Sequence, residues 1–200
     1  MQVFMPYPDF EKSVQALDDT RLRKQAQETT QLLDIMLGFP TKTGKPRTGW
    51  LNHPALLAWQ STPGALIEHL IYNVIEIKKR GFKTDYVASK LKAYETITVS
   101  SKRPAWLGNE IIHSSHRVRL LQKCFEEIYK YGEQRFSTLE WYSSFNWKET
   151  EHHNFFNEEY WWPTYISGDT YCLNQKKLNK DALNFKQLLI EKFGLNPFVS

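Results

Sequence analysis

The chain has 200 residues, 41% hydrophobic and 24% charged, with a net charge of +4 and a pI near 8.9. That length buries one sizeable core, and no apolar run approaches the roughly 18 residues that a membrane span needs. The two cysteines, Cys124 and Cys172, lie far apart without a CxxC pair, which argues against a disulfide framework and a zinc-thiolate site and suits a reducing compartment.

The N-terminal run MQVFMP lacks the basic start and long apolar stretch of a secretory signal. The first element expected is a helix from Asp19 to Leu37, capped by Asp18 or Asp19 and stopped by Gly38 and Pro40. Leu22, Ala26, Thr29, Leu33 and Met36 recur at steps of three and four, giving a buried stripe. The same period gathers Arg21, Lys24, Glu28 and Gln31 on another stripe, so Glu28 is a carboxylate among cations and amides. Residues 38–51 (GFPTKTGKPRTGWL) form a basic loop.

Asn52-His53-Pro54 reads as a helix start with Asn as cap and Pro in the first turn. That short helix breaks near Ser61–Gly64. The next, from Pro63 to Arg80, carries Leu66, Leu70, Val74 and Ile77 and ends at Gly81, as the central core helix should. Asp85–Thr96 reads as a short amphipathic helix, followed by a second basic loop, 98–108, holding Trp106. A long helix is expected from Asn109 to Tyr131, an aromatic-rich irregular stretch over 132–172, and a last helix over Asp181–Phe193. A small strand pair fits near 164–173. The fold class expected is therefore all-α: a single compact helical domain over 1–165 with basic loops on one face, and an extension over 166–200 packing on it.

The charge is clustered. Arg21, Arg23, Lys24, Lys42, Lys45 and Arg47 crowd one stretch; Lys102, Arg103, Arg117, Arg119 and Lys123 crowd another. Such clusters lay a face on phosphates while the net charge stays modest. The bland alternative is a set of solvated helix faces. No Walker loop or GxGxxG is present, so nucleotide hydrolysis and dinucleotide binding have no motif. His113-x-x-His116 falls short of a zinc ligand set, and His152-His153 have no spacing that fixes them to it, so neither a metal nor a cofactor is expected. His113, His116, Arg117 and Arg119 read instead as phosphate or sugar ligands, or as an exposed helix face. Trp50 and Trp106, each in a basic loop, are candidates for base contact.

The stretch MQVFMPYPDFEKSVQALDDTRLRKQAQETTQLLDIMLG resembles the start of the pyrimidine-dimer DNA glycosylase (endonuclease V) family, whose "LD…L…E" helix falls here on Leu17, Asp18, Leu22 and Glu28. GWLNHPALLAW (49–59) resembles the NHP segment of bacterial and phage relatives, and KKRGF (78–82) the end of the family's central helix. RPAWLGNEIIHSSHRVRLL (103–121) and YWWP (160–163) resemble segments of the shorter relatives.

The resemblance implies a DNA N-glycosylase with lyase activity on a pyrimidine dimer or hypermodified pyrimidine, cytoplasmic in a bacterial or phage-infected cell, acting as a monomer on double-stranded DNA. It implies attack at C1′ by the N-terminal amine, here that of Met1 because Gln2 is large for methionine removal, with Glu28 as the catalytic carboxylate. An α-amine titrating near 7.7–8.0 is a competent nucleophile at neutral pH. Arg21, Arg23, Lys24, Lys42, Lys45, Arg47, His53, Lys102, Arg103, His113, His116 and Arg117 would hold the DNA. The family's arginines beside the glutamate fall on Gln27 and Gln31 here. Two other readings stay open: a DNA-binding module without catalysis, and another nucleotide-processing enzyme using Glu28 and the His/Arg cluster.

Overall fold

A computed structural model describes residues 2–145, 147, 159–167 and 170–177. These form seven α-helices, α1 (Phe10–Gln15), α2 (Asp19–Met36), α3 (Pro54–Trp59), α4 (Pro63–Lys79), α5 (Asp85–Tyr94), α6 (Glu110–Tyr131) and α7 (Phe136–Ser143), with a 3-10 turn over Glu133–Arg135. Two strands, β1 (Glu159–Ser167) and β2 (Thr170–Lys177), pair with each other. A two-residue connection makes that pair antiparallel. The fold is mostly helical, and the strand pair is the one expected near 164–173. The helix expected over Asp181–Phe193 lies outside the described residues.

Two compact units share the chain, the first made of residues 1–108 and 163–173, the second of 109–162 and 174–200. In the first, α4 packs against α2 and α1, and α2 also meets α3 and α5. Leu22, Ala26 and Leu33 of α2 and Leu66, Leu70 and Ile77 of α4 are buried, the two apolar stripes facing inward as their spacing requires. Each leucine or isoleucine among them contributes about 1.5–3 kcal/mol by leaving water. Phe10, Trp59, His69 and Trp106 add a ring cluster, with Trp59 edge-on to Trp106 at 5.1 Å and Phe10 edge-on to His69 at 5.5 Å.

The ends of the helices follow local chemistry. Asp18 caps α2 by accepting from the Thr20 and Arg21 N–H groups. His53, not Asn52, caps α3: its Nδ1 accepts from the Ala55 N–H at 3.1 Å, with Pro54 in the first turn. α4 closes in a Schellman turn, Phe82 N–H to the Ile77 carbonyl and Gly81 N–H to Lys78, with Gly81 at φ +81°. Arg80 then spans the junction of α1 and α2, donating to the Leu17 and Gln15 carbonyls, to Asp19 and to Glu76 at 2.7–3.0 Å. The second basic loop is seated by Gly64, where a Cβ would overlap the Ser100 carbonyl oxygen.

In the second unit α7 packs against α6. α6 is buried along most of its length, including His113, Ser114, Ser115, His116, Arg117, Arg119, Gln122 and Glu126. The expected exposed face of His113, His116 and Arg117 is thus turned inward. Burial, with the nearby His113 and Arg117, pushes the His116 imidazole down to about 3, and its ring lies 4.7 Å from that of Trp162.

Candidate functional site

The chain's first described residues run along α2 as a buried extended segment. Val3, Phe4, Met5 and Pro6 are all buried and belong to no helix or strand. Gln25 supplies what a strand would. Its Oε1 accepts the Phe4 N–H at 2.6 Å and its Nε2 donates to the Phe4 carbonyl at 3.4 Å, so one side-chain amide pairs with both backbone groups of a single residue. Behind it the Gln25 amide lies 3.4 Å from His69 Nε2, and the Asn73 amide 3.2 Å from His69 Nδ1. His69 is wholly buried, and burial drives its pKa down to about 3, so the ring is neutral at ordinary pH.

Two residues back along the segment and one helical turn on along α2, the Gln2 N–H donates to Glu28 Oε2 at 2.8 Å. The pairings Phe4–Gln25 and Gln2–Glu28 run in opposite senses, so the segment lies antiparallel to the helix. An extended chain advances about 6.6 Å in two residues and a helix about 4.5 Å in three, close enough for consecutive pairings. Glu28 is half-buried, which leaves its carboxylate beside the start of the chain and within reach of solvent. Met1 lies outside the described residues; the covalent chain puts its nitrogen at most about 4 Å from that of Gln2.

The expected DNA-binding residues separate into two groups. Arg23, Lys24, Lys42, Lys45, Lys102 and Arg103 are exposed. Among the described residues Lys24, Lys42 and Lys45 pair with no carboxylate. Arg23 lies over the Phe82 ring at 4.6 Å, and Arg103 over Phe10 at 4.4 Å while pairing with Glu68 at 2.7 Å. The others serve the protein itself. Arg21 is buried and pairs with Asp18 at 2.7 Å. Arg47 is bound to Asp34 at 2.9 Å and to the Phe39 carbonyl. His53 holds the start of α3, and His113, His116 and Arg117 are inside the second unit, where Arg117 pairs with Glu110. Trp106 is buried too, its indole N–H donating to Ala58 at 2.7 Å, whereas Trp50 is 57% exposed. Gln27 and Gln31 are both exposed on α2.

Three residues that the motifs do not single out help to build this region. Gln25 and His69 hold the first segment, and Asp34 holds the first basic loop. Asp34 is buried, accepting from Lys90 at 2.8 and 2.9 Å, from Arg47, and from the Tyr94 hydroxyl at 2.8 Å. Burial and the Asp34 carboxylate push the Tyr94 phenol up, so it remains a donor. Gln25 precedes Glu28 by three residues, which was the available signal that both share a face. Among the described residues no group of three His, Cys, Asp or Glu side chains is arranged to hold a metal, and no helix is long and apolar enough to cross a membrane.

Residues 1–89 match the family model described as pyrimidine dimer DNA glycosylase, so the resemblance read from the opening motifs holds over α1–α4 and the start of α5. No curated protein and no solved structure matches the chain.

Proposed function

We propose, from the pyrimidine dimer DNA glycosylase pattern carried by residues 1–89, that this protein is a DNA N-glycosylase with an associated lyase step. Its substrate is a damaged or modified pyrimidine in double-stranded DNA, and its setting the cytoplasm of a bacterial or phage-infected cell. The observation that carries this reading is the Gln2 nitrogen on the Glu28 carboxylate at 2.8 Å. This backbone nitrogen, one residue from the head of the chain, lies beside a carboxylate at the end of a buried segment, which supports amine chemistry at that carboxylate.

The amine nitrogen attacks C1′ of the target nucleotide as the bond from C1′ to the base breaks, and the base leaves with a proton. Glu28 stabilises the positive charge that builds on the sugar and carries a proton to the ring oxygen as the sugar opens to the imine. Removal of a C2′ proton then expels the 3′ phosphate, cutting the strand, and water releases the sugar from the amine. Lys24, Lys42, Lys45, Lys102 and the exposed faces of Arg23 and Arg103 supply the phosphate contacts. The buried Arg21, His113, His116 and Arg117, and Arg47 bound to Asp34, act through the fold.

With Met1 in place its α-amine is the nucleophile. A second assignment is favoured by the hydrogen bond itself: removal of Met1 makes the Gln2 nitrogen the amine, already on Glu28. Borohydride trapping on a duplex with an abasic site tests both. A covalent adduct is expected, and mass analysis of the N-terminal peptide shows whether Met1 or Gln2 carries the sugar. DNA binding without any adduct would leave a binding module in place of the enzyme.

A further inference from the structure

The tip of the first basic loop combines three properties rarely found together. Trp50 is 57% exposed and Leu51 50% exposed, side by side. Trp50 also has φ +71°, and among the described residues it is the one non-glycine residue with a positive φ. For a bulky side chain that conformation is disfavoured, and backbone strain of this kind persists where the surroundings impose it, commonly at functional sites.

The surroundings do impose it. On one side Arg47 ties the loop to the buried Asp34. On the other, the His53 N–H donates to the Trp50 carbonyl at 2.9 Å, the His53 ring meets the indole edge-on at 5.0 Å, and His53 itself caps α3. The tip is a tethered turn that spends conformational energy to hold an indole in water. Lys42 and Lys45, both exposed and without a carboxylate partner among the described residues, belong to the same loop and suit an anionic partner rather than an apolar one.

We infer that Trp50, backed by Leu51, is a wedge that enters the base stack of duplex DNA at the lesion. It occupies the space left when a nucleotide at the lesion leaves the stack. This rests on the glycosylase reading above. The indole is flat and fits the roughly 3.4 Å rise between base pairs; stacking on a base is indifferent to sequence, and apolar side chains unstack steps in this way where duplexes are kinked. Flipping is costly because it opens the stack, and a ring that refills the gap offsets that cost.

The test uses a duplex with a central tetrahydrofuran abasic analogue beside 2-aminopurine, and the undamaged duplex of the same sequence. The parent protein should raise 2-aminopurine fluorescence on the abasic duplex. Trp50→Ala should lose most of that rise and bind the abasic duplex about tenfold or more weakly, consistent with the removal of one stacked ring. Its binding to undamaged duplex at low salt should stay within about twofold, because phosphate contacts dominate there. Trp50→Phe should keep much of the rise. Trp50→Gly removes the ring and relieves the backbone together, so it should lose the rise while its thermal midpoint increases, a pairing that a merely structural Trp50 cannot produce.

A Trp50→Ala protein with parental fluorescence and affinity would overturn the wedge. So would a parent that binds both duplexes without a fluorescence rise, which leaves the glycosylase reading standing. A parent with no affinity for either duplex would overturn both. If Trp50→Ala abolishes self-association of the parent yet leaves DNA binding intact, the tip is a protein contact and the wedge is wrong.

Discussion

The two long helices α2 and α6 both bury polar groups, and they use them differently. On α2, Gln25 reaches Phe4, Asp34 reaches Arg47, Lys90 and Tyr94, and Glu28 reaches Gln2. These partners are brought together only by the fold. On α6, among the described residues, Arg117 pairs with Glu110 and Arg119 with Glu126 within the helix, each pair spanning two turns. α2 is a rack on which other segments are hung, and the family pattern covers it. α6 lies past residue 89, and its buried charges stabilise the second unit from inside. A polar residue inside a helix therefore signals function only when its partner is a segment that could meet a substrate.

Four substitutions or conditions can break or sharpen this contrast. The largest effect on stability is expected at α6. Arg119→Met leaves the Glu126 carboxylate buried without its cation, which should cost about 3 kcal/mol. Urea unfolding followed by hydrogen exchange on α6 reads it, and a decrease under about 1 kcal/mol would mean the pair is solvated.

Glu28→Gln should behave in the opposite way. Its side-chain oxygen still accepts from the Gln2 N–H, so stability should move by less than about 1 kcal/mol, while base release falls by about 10²-fold or more. Single-turnover base release beside a binding titration decides it. Parental turnover in this variant would remove Glu28 from the chemistry.

The pH dependence probes one buried histidine in each unit. His69 and His116 are held at about 3 in the folded chain, below the ordinary 6.5. Between those values the unfolded chain takes up protons that the folded chain refuses. Stability from this source is complete above pH 6.5 and is lost as pH falls toward 3. The slope is up to about 1.4 kcal/mol per pH unit for each histidine. His69→Gln should remove that slope from the first unit alone, and identical pH profiles for parent and variant would show that His69 is protonated in the fold.

The smallest effect on the fold belongs to Lys24→Ala. Stability should change by less than about 0.5 kcal/mol. The dependence of duplex binding on salt should weaken by about one unit of slope, as for a protein that neutralises one phosphate fewer. An unchanged slope would place the duplex elsewhere.

Local signals carried the helices. Asp18, Gly38 and Gly81 are caps or stops readable by eye, and α2 and α4 begin and end within about two residues of where these signals put them. α1 gives no such signal because six residues hold no periodicity, and its Asp9 cap is visible only beside a helix already known. The eight residues of α7 sit in an aromatic-rich stretch with no clean stripe. His53 displaced Asn52 as the cap of α3 because its ring nitrogen, not the amide, reaches the Ala55 N–H.

At the site, Glu28 and Lys24 stand where the helical period set them. The arginines were harder, because a cation's accessibility depends on which carboxylate the fold brings to it. Arg21 had a visible partner three residues away in Asp18, whereas Asp34 reaches Arg47 only through the folded loop. The inward turn of His113, His116 and Arg117 could not be read at all, since a helix enclosed on every side has no polar face to betray its orientation.

The antiparallel run of Val3–Pro6 along α2 has a practical corollary for anyone preparing this protein. A purification tag fused ahead of Met1 turns the α-amine into an amide, and the added residues must leave the fold past the Glu28 carboxylate. On the glycosylase reading proposed above, such a fusion keeps the Gln25 pairing but lacks the nucleophile until a protease trims it back. On the amine chemistry proposed above, assays on material tagged at that end would miss an activity that the untagged chain retains.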